Sequence, residues 1–224
     1  MRTKLMLWGT AAVLALGSTA AMASVVVVKS LGPSSKAYPP GKTLADSAKI
    51  TLRGGDVVTL LGPGSAKTLR GPGNFDTRQV AMASSARRGR FGALRASEVA
   101  KNPSIWDIDV SQSGKVCVSS KNKLQVWRPV SEDAVTVQIR KPDGSVEPLT
   151  WASGSSVTAW PNGLAIKSGE KYQVNWPGSG DKSSLEFIAV DAPVDLVGTA
   201  QVLIANGCNN QLDLLVASAG KKAK

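Results

Sequence analysis

The sequence predicts a mainly β protein that ends in helices: a small N-terminal β module, a linker, a β-sandwich of the immunoglobulin or fibronectin kind, and a C-terminal helical hairpin. Three observations predict it. Short runs rich in Val, Thr and Ile, broken by Gly and Pro, fill residues 25–76 and return over 105–190. A stretch rich in Arg, Ala and Ser, 77–104, separates the two regions. From residue 191 the apolar spacing changes to that of a helix.

Residues 1–23 read as a secretory signal peptide. "MRTK" is a basic start, "LMLWGTAAVLALG" a short apolar core, and "AMAS" offers small residues for cleavage after Ala23. Gly17, Ser18 and Thr19 interrupt the run, which favours cleavage. The alternative is a retained anchor, because "SVVVVKS" prolongs the apolar character toward spanning length. No cysteine follows the apolar core, so lipoprotein acylation is not expected. The mature chain is then expected in the periplasm or secreted.

In the module at 24–76, "SVVVVKSL", "KITLR", "DVVTLLG" and "AKTLR" are strand candidates. Between them "GPSS", "YPPGKTL", "GGD", "GPGS" and "GPGN" carry turn chemistry. "GPGSAKTLRGPGNF" echoes itself, and each Gly-Pro-Gly predicts a tight turn. The linker 77–104 holds Arg78, Arg87, Arg88, Arg90 and Arg95 with no acid before Glu98, and a short helix is expected near 93–101.

Over 105–190 eight runs qualify as strands: "IWDIDVS", "GKVCVSS", "KLQVWRP", "AVTVQIRK", "EPLTWA", "SVTAWP", "KYQVNWP" and "SLEFIAVD". Asp143-Gly144 predicts a hairpin turn. Trp127, Trp160 and Trp176 each stand just before a proline, which places them at strand ends or edges. Tyr172 occupies the position of a corner tyrosine whose hydroxyl caps a turn. In the tail at 191–219, Asp191 is the expected N-cap, with Pro193 in the first turn and Val194, Val197, Gln201 and Ile204 on one stripe beside Leu203. Asn206-Gly207 ends that helix, and a second starts near Asn209 with Leu212, Leu215 and Val216 on its inner face. Residues 220–224 are a basic tail.

The chain has two cysteines, Cys117 and Cys208. In an oxidising compartment an isolated pair forms a bridge, here from a central strand to the elbow of the hairpin. The alternative is two buried thiols.

Chemistry is then bounded by absence. With no histidine, Ser-His triads and histidine metal sites fall away. Oxidised cysteines remove a thiol nucleophile. Ser-Lys pairs at 34–36, 47–49 and 119–121 are formal alternatives of a kind common in such compositions. Asp107 and Asp109 alternate on one strand and could be a carboxylate pair or touch calcium, but a plain surface strand gives the same pattern. The glycine-rich segments lack the spacing of a phosphate loop. No catalytic residue, cofactor or metal is expected, and the protein is not expected to be an enzyme.

A net charge of +11 admits anionic partners. Arg78, Arg87, Arg88, Arg90 and Arg95 are the candidate polyanion-binding residues, although such charge also serves solubility. The tryptophans are expected to fill the core; the alternative is an aromatic platform for sugars or peptidoglycan, for which Trp151 and Trp160, near turns, are the candidates. Nucleic acid and small-molecule substrates are not expected.

Residues "VVVKSLGPSSKAYPPGKTL…KITLRGGDVVTLLGPGSAKTLRGPGNF", about 25–76, resemble the exported β module of FecR-type sigma regulators. The shared features are a "G-x-x-L" entry, a "G-D" turn into an apolar strand and an "L-x-G-P" ending. The wider layout, with "WDIDVSxSGxVCV…LxxWRP", resembles uncharacterised exported proteins of proteobacteria. FecR-type regulators place a cytoplasmic anti-sigma segment and a membrane span before the module. This sequence shows neither, so sigma signalling is not expected of it. The resemblance implies an exported, non-enzymatic β module that contacts another protein, and the leading reading is a periplasmic binding or accessory protein whose partner is an envelope protein.

Overall fold

The computed structural model describes residues 24–81, 103–119, 123–129, 132–178, 180–193 and 195–221. The signal segment, the helix expected near 93–101 and the basic tail beyond 221 lie outside them.

Six strands build the N-terminal unit: β1 (Ser24–Leu31), β2 (Thr43–Ala45), β3 (Lys49–Leu52), β4 (Val57–Leu61), β5 (Ala66–Arg70) and β6 (Gly73–Asp76). An antiparallel sheet in the order β2-β1-β4-β5 packs on the pair β3-β6. Val25, Val27, Ile50, Leu52, Val58, Leu60 and Leu69 form the core between them. The unit runs past residue 76, because the short helix α1 (Arg78–Ala81) adds Val80 to that core. Thr77 anchors the turn before it, donating through Oγ1 to Ala45 O at 2.8 Å.

The run "VVVV" in β1 has a physical reason. Val25 and Val27 face this core, whereas Val26 and Val28 face a second one on the other side of the sheet. A strand covered on both faces needs no polar alternation.

The two Gly-Pro-Gly segments are not equivalent. The first closes the β4–β5 hairpin, with Gly62 N–H donating to Ser65 O at 2.9 Å. The second carries the chain out of one sheet into the other and contains a cis Gly71–Pro72 bond. At Gly71 a Cβ would lie 2.0 Å from the carbonyl oxygen of Arg53, so two backbones meet where only glycine fits. Gly71→Ala is expected to cost about 1–3 kcal/mol, the usual range for forcing extra atoms into a packed site. A thermal melt that does not move would show the approach to be looser.

The second unit holds β7 (Ile108–Asp109), β8 (Gly114–Val118), β9 (Gln125–Trp127), β10 (Val135–Arg140), β11 (Val146–Trp151), β12 (Val157–Ala159), β13 (Lys171–Asn175) and β14 (Lys182–Ala189). A five-stranded sheet, β11-β10-β13-β14-β8, and a three-stranded sheet, β12-β9-β7, share one core. The sheets are tied by polar links as well. Trp151 Nε1 donates to Val126 O at 3.3 Å, and Ser183 Oγ to Val110 O at 2.7 Å. Pro142, Asp143 and Gly144 form the expected turn, with Lys141 N–H bonded to Ser145 O at 2.8 Å. The Tyr172 hydroxyl lies 3.0 Å from Ala165 O and 2.9 Å from Glu170 Oε2, so it holds the turn before its own strand.

The chain closes with α2 (Leu196–Asn206) and α3 (Asn209–Lys221). The N-cap is Asp195 rather than Asp191: its carboxylate accepts from Gly198 N–H at 2.7 Å. The helix therefore starts later than expected, and its inner stripe is Val197, Ala200 and Leu203; Gln201 is exposed and Val194 lies outside the described residues. The stop falls where expected. Gly207 has φ 71°, its N–H reaches Ile204 O, and Cys208 N–H reaches Leu203 O, the two bonds of a Schellman end.

The hairpin is the joint of the molecule. Val26, Val28 and Leu61 from the first unit, Cys117 from the second, and Val197, Ala200, Leu203, Leu212, Leu215 and Ala219 from the helices make a single core. The two β units are thus held together through the tail.

Candidate functional site

Three arrangements merit attention: the clasp at Cys117, the tryptophan region, and the basic surface of the first unit.

Cys117 and Cys208 are bridged, with both residues fully buried and their Cα atoms 5.9 Å apart. Cys117 lies on β8, which is an edge strand of its sheet rather than a central one. An edge strand leaves one row of N–H and C=O groups unpaired. Gln211 answers this. Its Oε1 accepts from Cys117 N–H at 2.7 Å and its Nε2 donates to Cys117 O at 2.9 Å. The same Nε2 donates to Ile105 O at 2.7 Å. The side-chain amide takes the place of a neighbouring strand, and the disulfide fixes the helix that presents it. Sequence reading picks out the cysteines but not Gln211, whose only signal is a polar residue on the inner face of a helix.

The tryptophans fill the core as expected, and the alternative of a platform at Trp151 and Trp160 is overturned. Trp151 is fully buried and Trp160 is 5% exposed. Trp160 packs edge-on to Tyr172 and Phe187, with centroids 6.1 and 5.2 Å away, and Trp151 stacks on Trp176 at 6.0 Å. These rings pack among the aliphatic side chains of the second core, and burying their large apolar area is why they turn inward. Trp151 also carries a cation. Arg128, only 3% exposed, stacks its guanidinium 5.6 Å from the ring centre. It donates to the carbonyls of Ser155 at 3.1 Å and Asp133 at 2.8 Å. Burial pulls its pKa down, and the charge of Asp133 opposes that. The "WRP" sequence is therefore a structural tie between loops.

Asp107 and Asp109 are hydrogen-bonded to different turns. Asp107 precedes β7 and accepts from Ser104 N–H at 2.7 Å, with burial raising its pKa against that hydrogen bond. Asp109 accepts from Ser111 N–H at 2.9 Å and from Gln112 Nε2 at 2.8 Å. Each carboxylate is spent on its own turn.

The charge is strongly segregated. Residues 24–104 contain thirteen Lys and Arg against four Asp and Glu, whereas residues 105–221 contain ten against twelve. In the described part of the first unit all eight Lys and Arg are exposed. Its three acids offer little compensation. Asp76 pairs with Arg78 at 3.6 Å, Asp46 is half-buried, and Asp56 is buried. Asp56 Oδ1 accepts from Ser34 N–H at 2.8 Å and Oδ2 from Arg53 N–H at 2.5 Å. Of the arginines expected to bind polyanions, Arg78 is exposed on α1; Arg87, Arg88, Arg90 and Arg95 lie outside the described residues.

Asp56 makes the first unit sensitive to acid. Burial pushes its carboxyl up, but the hydrogen bonds from Ser34 and Arg53 outweigh this and hold it below the ordinary 3.8. A depressed folded pKa stabilises fully above the unfolded value, and the stabilisation is lost as pH falls through the folded one. The β3–β4 turn is thus expected to loosen only below about pH 4. Asp56→Asn should lower the melting temperature at neutral pH and flatten its acid dependence, read by melts from pH 7 down to 2. An undiminished acid dependence in the variant would assign it to other carboxylates.

No protein-family model, curated protein or solved structure matches the chain.

Proposed function

We propose that the protein is a non-catalytic binding protein of the cell envelope that holds an acidic envelope protein against the basic surface of its N-terminal β unit. The observation that carries this reading is the charge segregation: the positive side chains of that unit face solvent while its acids are buried, half-buried or paired. The oxidised Cys117–Cys208 bridge suits a chain exported to the periplasm or secreted, as a cleaved signal segment ending at Ala23 would have it. The resemblance of residues 25–76 to FecR-type modules points the same way, toward contact with another protein.

Crosslinking in intact envelopes tests it. Recovery of one acidic protein, in constant ratio and through residues of the first unit, is the expected result. A second reading rests on the arginines at 87–95, which extend the same positive charge along the chain. In it the partner is an anionic lipid or glycan surface. Retention on phosphatidylglycerol vesicles or peptidoglycan that disappears at moderate salt, with no protein crosslinked, would favour that reading over the first. Turnover of any substrate that is lost in Asp107→Asn and Asp109→Asn variants would overturn both.

A further inference from the structure

The sheet edges of this molecule are not alike. That of β8 is occupied by the amide of Gln211. β11 carries Pro148, which has no N–H to offer. β2, β12 and β7 are three, three and two residues long. The remaining edge of the first unit's main sheet is β5, which has five residues, no proline and unbroken register with β4.

The phase of its ladder follows from two bonds. Gly62 pairs with Ser65 at the turn, and Gly71 N–H donates to Asp56 O at 3.0 Å. Hydrogen-bonded pairs alternate along an antiparallel ladder, so Lys67 and Leu69 bond to β4. Ala66, Thr68 and Arg70 then turn their N–H and C=O groups away from the sheet. Thr68 and Arg70 are exposed. No described residue pairs with this edge, and an unpaired edge is a template for another strand.

Charge selects the strand. Lys67 and Arg70 are exposed, and Lys67 is bonded to the neutral amide of Gln79, which leaves its charge uncompensated. Two copies pairing through β5 would bring like charges together, which disfavours self-association. An acidic strand meets the opposite situation. Lys67 and Arg70 are three residues apart and so point to opposite faces of the sheet. A matching strand carries its two acids three residues apart, not two.

We propose that the free edge of β5 receives, by strand addition, an extended segment of a partner protein with acidic residues three apart. This rests on the reading of the protein as a binder of an acidic protein and names where that binding occurs. The probe is a capped eight-residue peptide of valine and threonine with two glutamates three apart, titrated into the full chain labelled with nitrogen-15. The expected result is a shift and slowed exchange of the amides of Ala66, Thr68 and Arg70. Lys67→Glu with Arg70→Glu should weaken binding at least tenfold, and methylation of alternate peptide nitrogens should abolish it. Amides that do not respond overturn the proposal. So does protection of the same amides by dimerisation at rising protein concentration, or by phosphatidylglycerol vesicles alone. If envelope crosslinking recovers the acidic protein equally well with Lys67→Glu and Arg70→Glu, the binding reading survives and strand addition falls. If the peptide adds to β5 but no acidic envelope protein is recovered, the edge site stands and the binding reading falls.

Discussion

Replacing both Cys117 and Cys208 by alanine is expected to lower the unfolding free energy by about 4–5 kcal/mol. The bridge closes a loop with a sequence separation of 91 residues, and in the chain-entropy model a loop of that size restricts the unfolded chain by about this amount. The effect should be read by urea denaturation, as a fall in midpoint with a steeper slope, because the unlinked unfolded chain exposes more surface. The structure adds a qualitative expectation. The bridge joins β8 to the elbow between the helices, and that elbow belongs to the core shared by both β units. Loss of the bridge should therefore loosen the joint first, seen as faster amide exchange in α3 and β8 than in β10 and β13. A uniform acceleration throughout would show that the hairpin does not act as the joint. In the native protein, where both cysteines are fully buried, reduction should be slow and should follow opening of the hairpin.

Gln211→Leu is expected to cost about 2–5 kcal/mol, although it replaces a buried polar residue by an apolar one of similar size. It strips partners from three backbone groups at once: the N–H and C=O of Cys117 and the C=O of Ile105. Each buried group left unsatisfied costs about 1–3 kcal/mol, and the carbonyls retain some access to other donors. Gln211→Glu should fare no better at neutral pH. A carboxylate can accept from Cys117 N–H but cannot donate to either carbonyl, and its charge would be buried. Denaturation midpoints of both variants check this. A leucine variant as stable as the parent would show that the amide pairing contributes nothing net. Because Gln211 and the disulfide hold the same strand, their losses should not add, and a double-mutant cycle should find coupling above about 0.5 kcal/mol.

The clasp shows how far sequence reading reaches. Counting cysteines is enough to propose the bridge, and Asn206-Gly207 is enough to end α2, because a left-handed residue at a helix end is a local requirement that glycine meets. Gln211 is invisible to the same reading. Its partners lie 94 and 106 residues away, and nothing near it in the chain marks it. The tryptophans teach the converse. Their places at the ends of β9, β12 and β13 are legible from the prolines that follow, yet whether a ring at a strand end faces water or core is decided by the opposing sheet. Arg128 is a stronger case, since an arginine beside a tryptophan reads as surface until the loops that wrap it are known.

By itself the sequence determined where most strands and turns and the second helix fall, though β2 and β6 formed inside stretches read as turns; it also showed that two cysteines had one partner each, and where the positive charge is concentrated. Those features depend on side-chain shape, backbone freedom and composition within a few residues. Only the tertiary structure decided that the tail joins the two β units, that an amide completes the edge of β8, that the rings face inward and that, among the described residues, no strand covers the edge of β5. Each of these depends on which distant surfaces are pressed together, and burial and unmet hydrogen bonds are properties of that pairing rather than of any single stretch of chain.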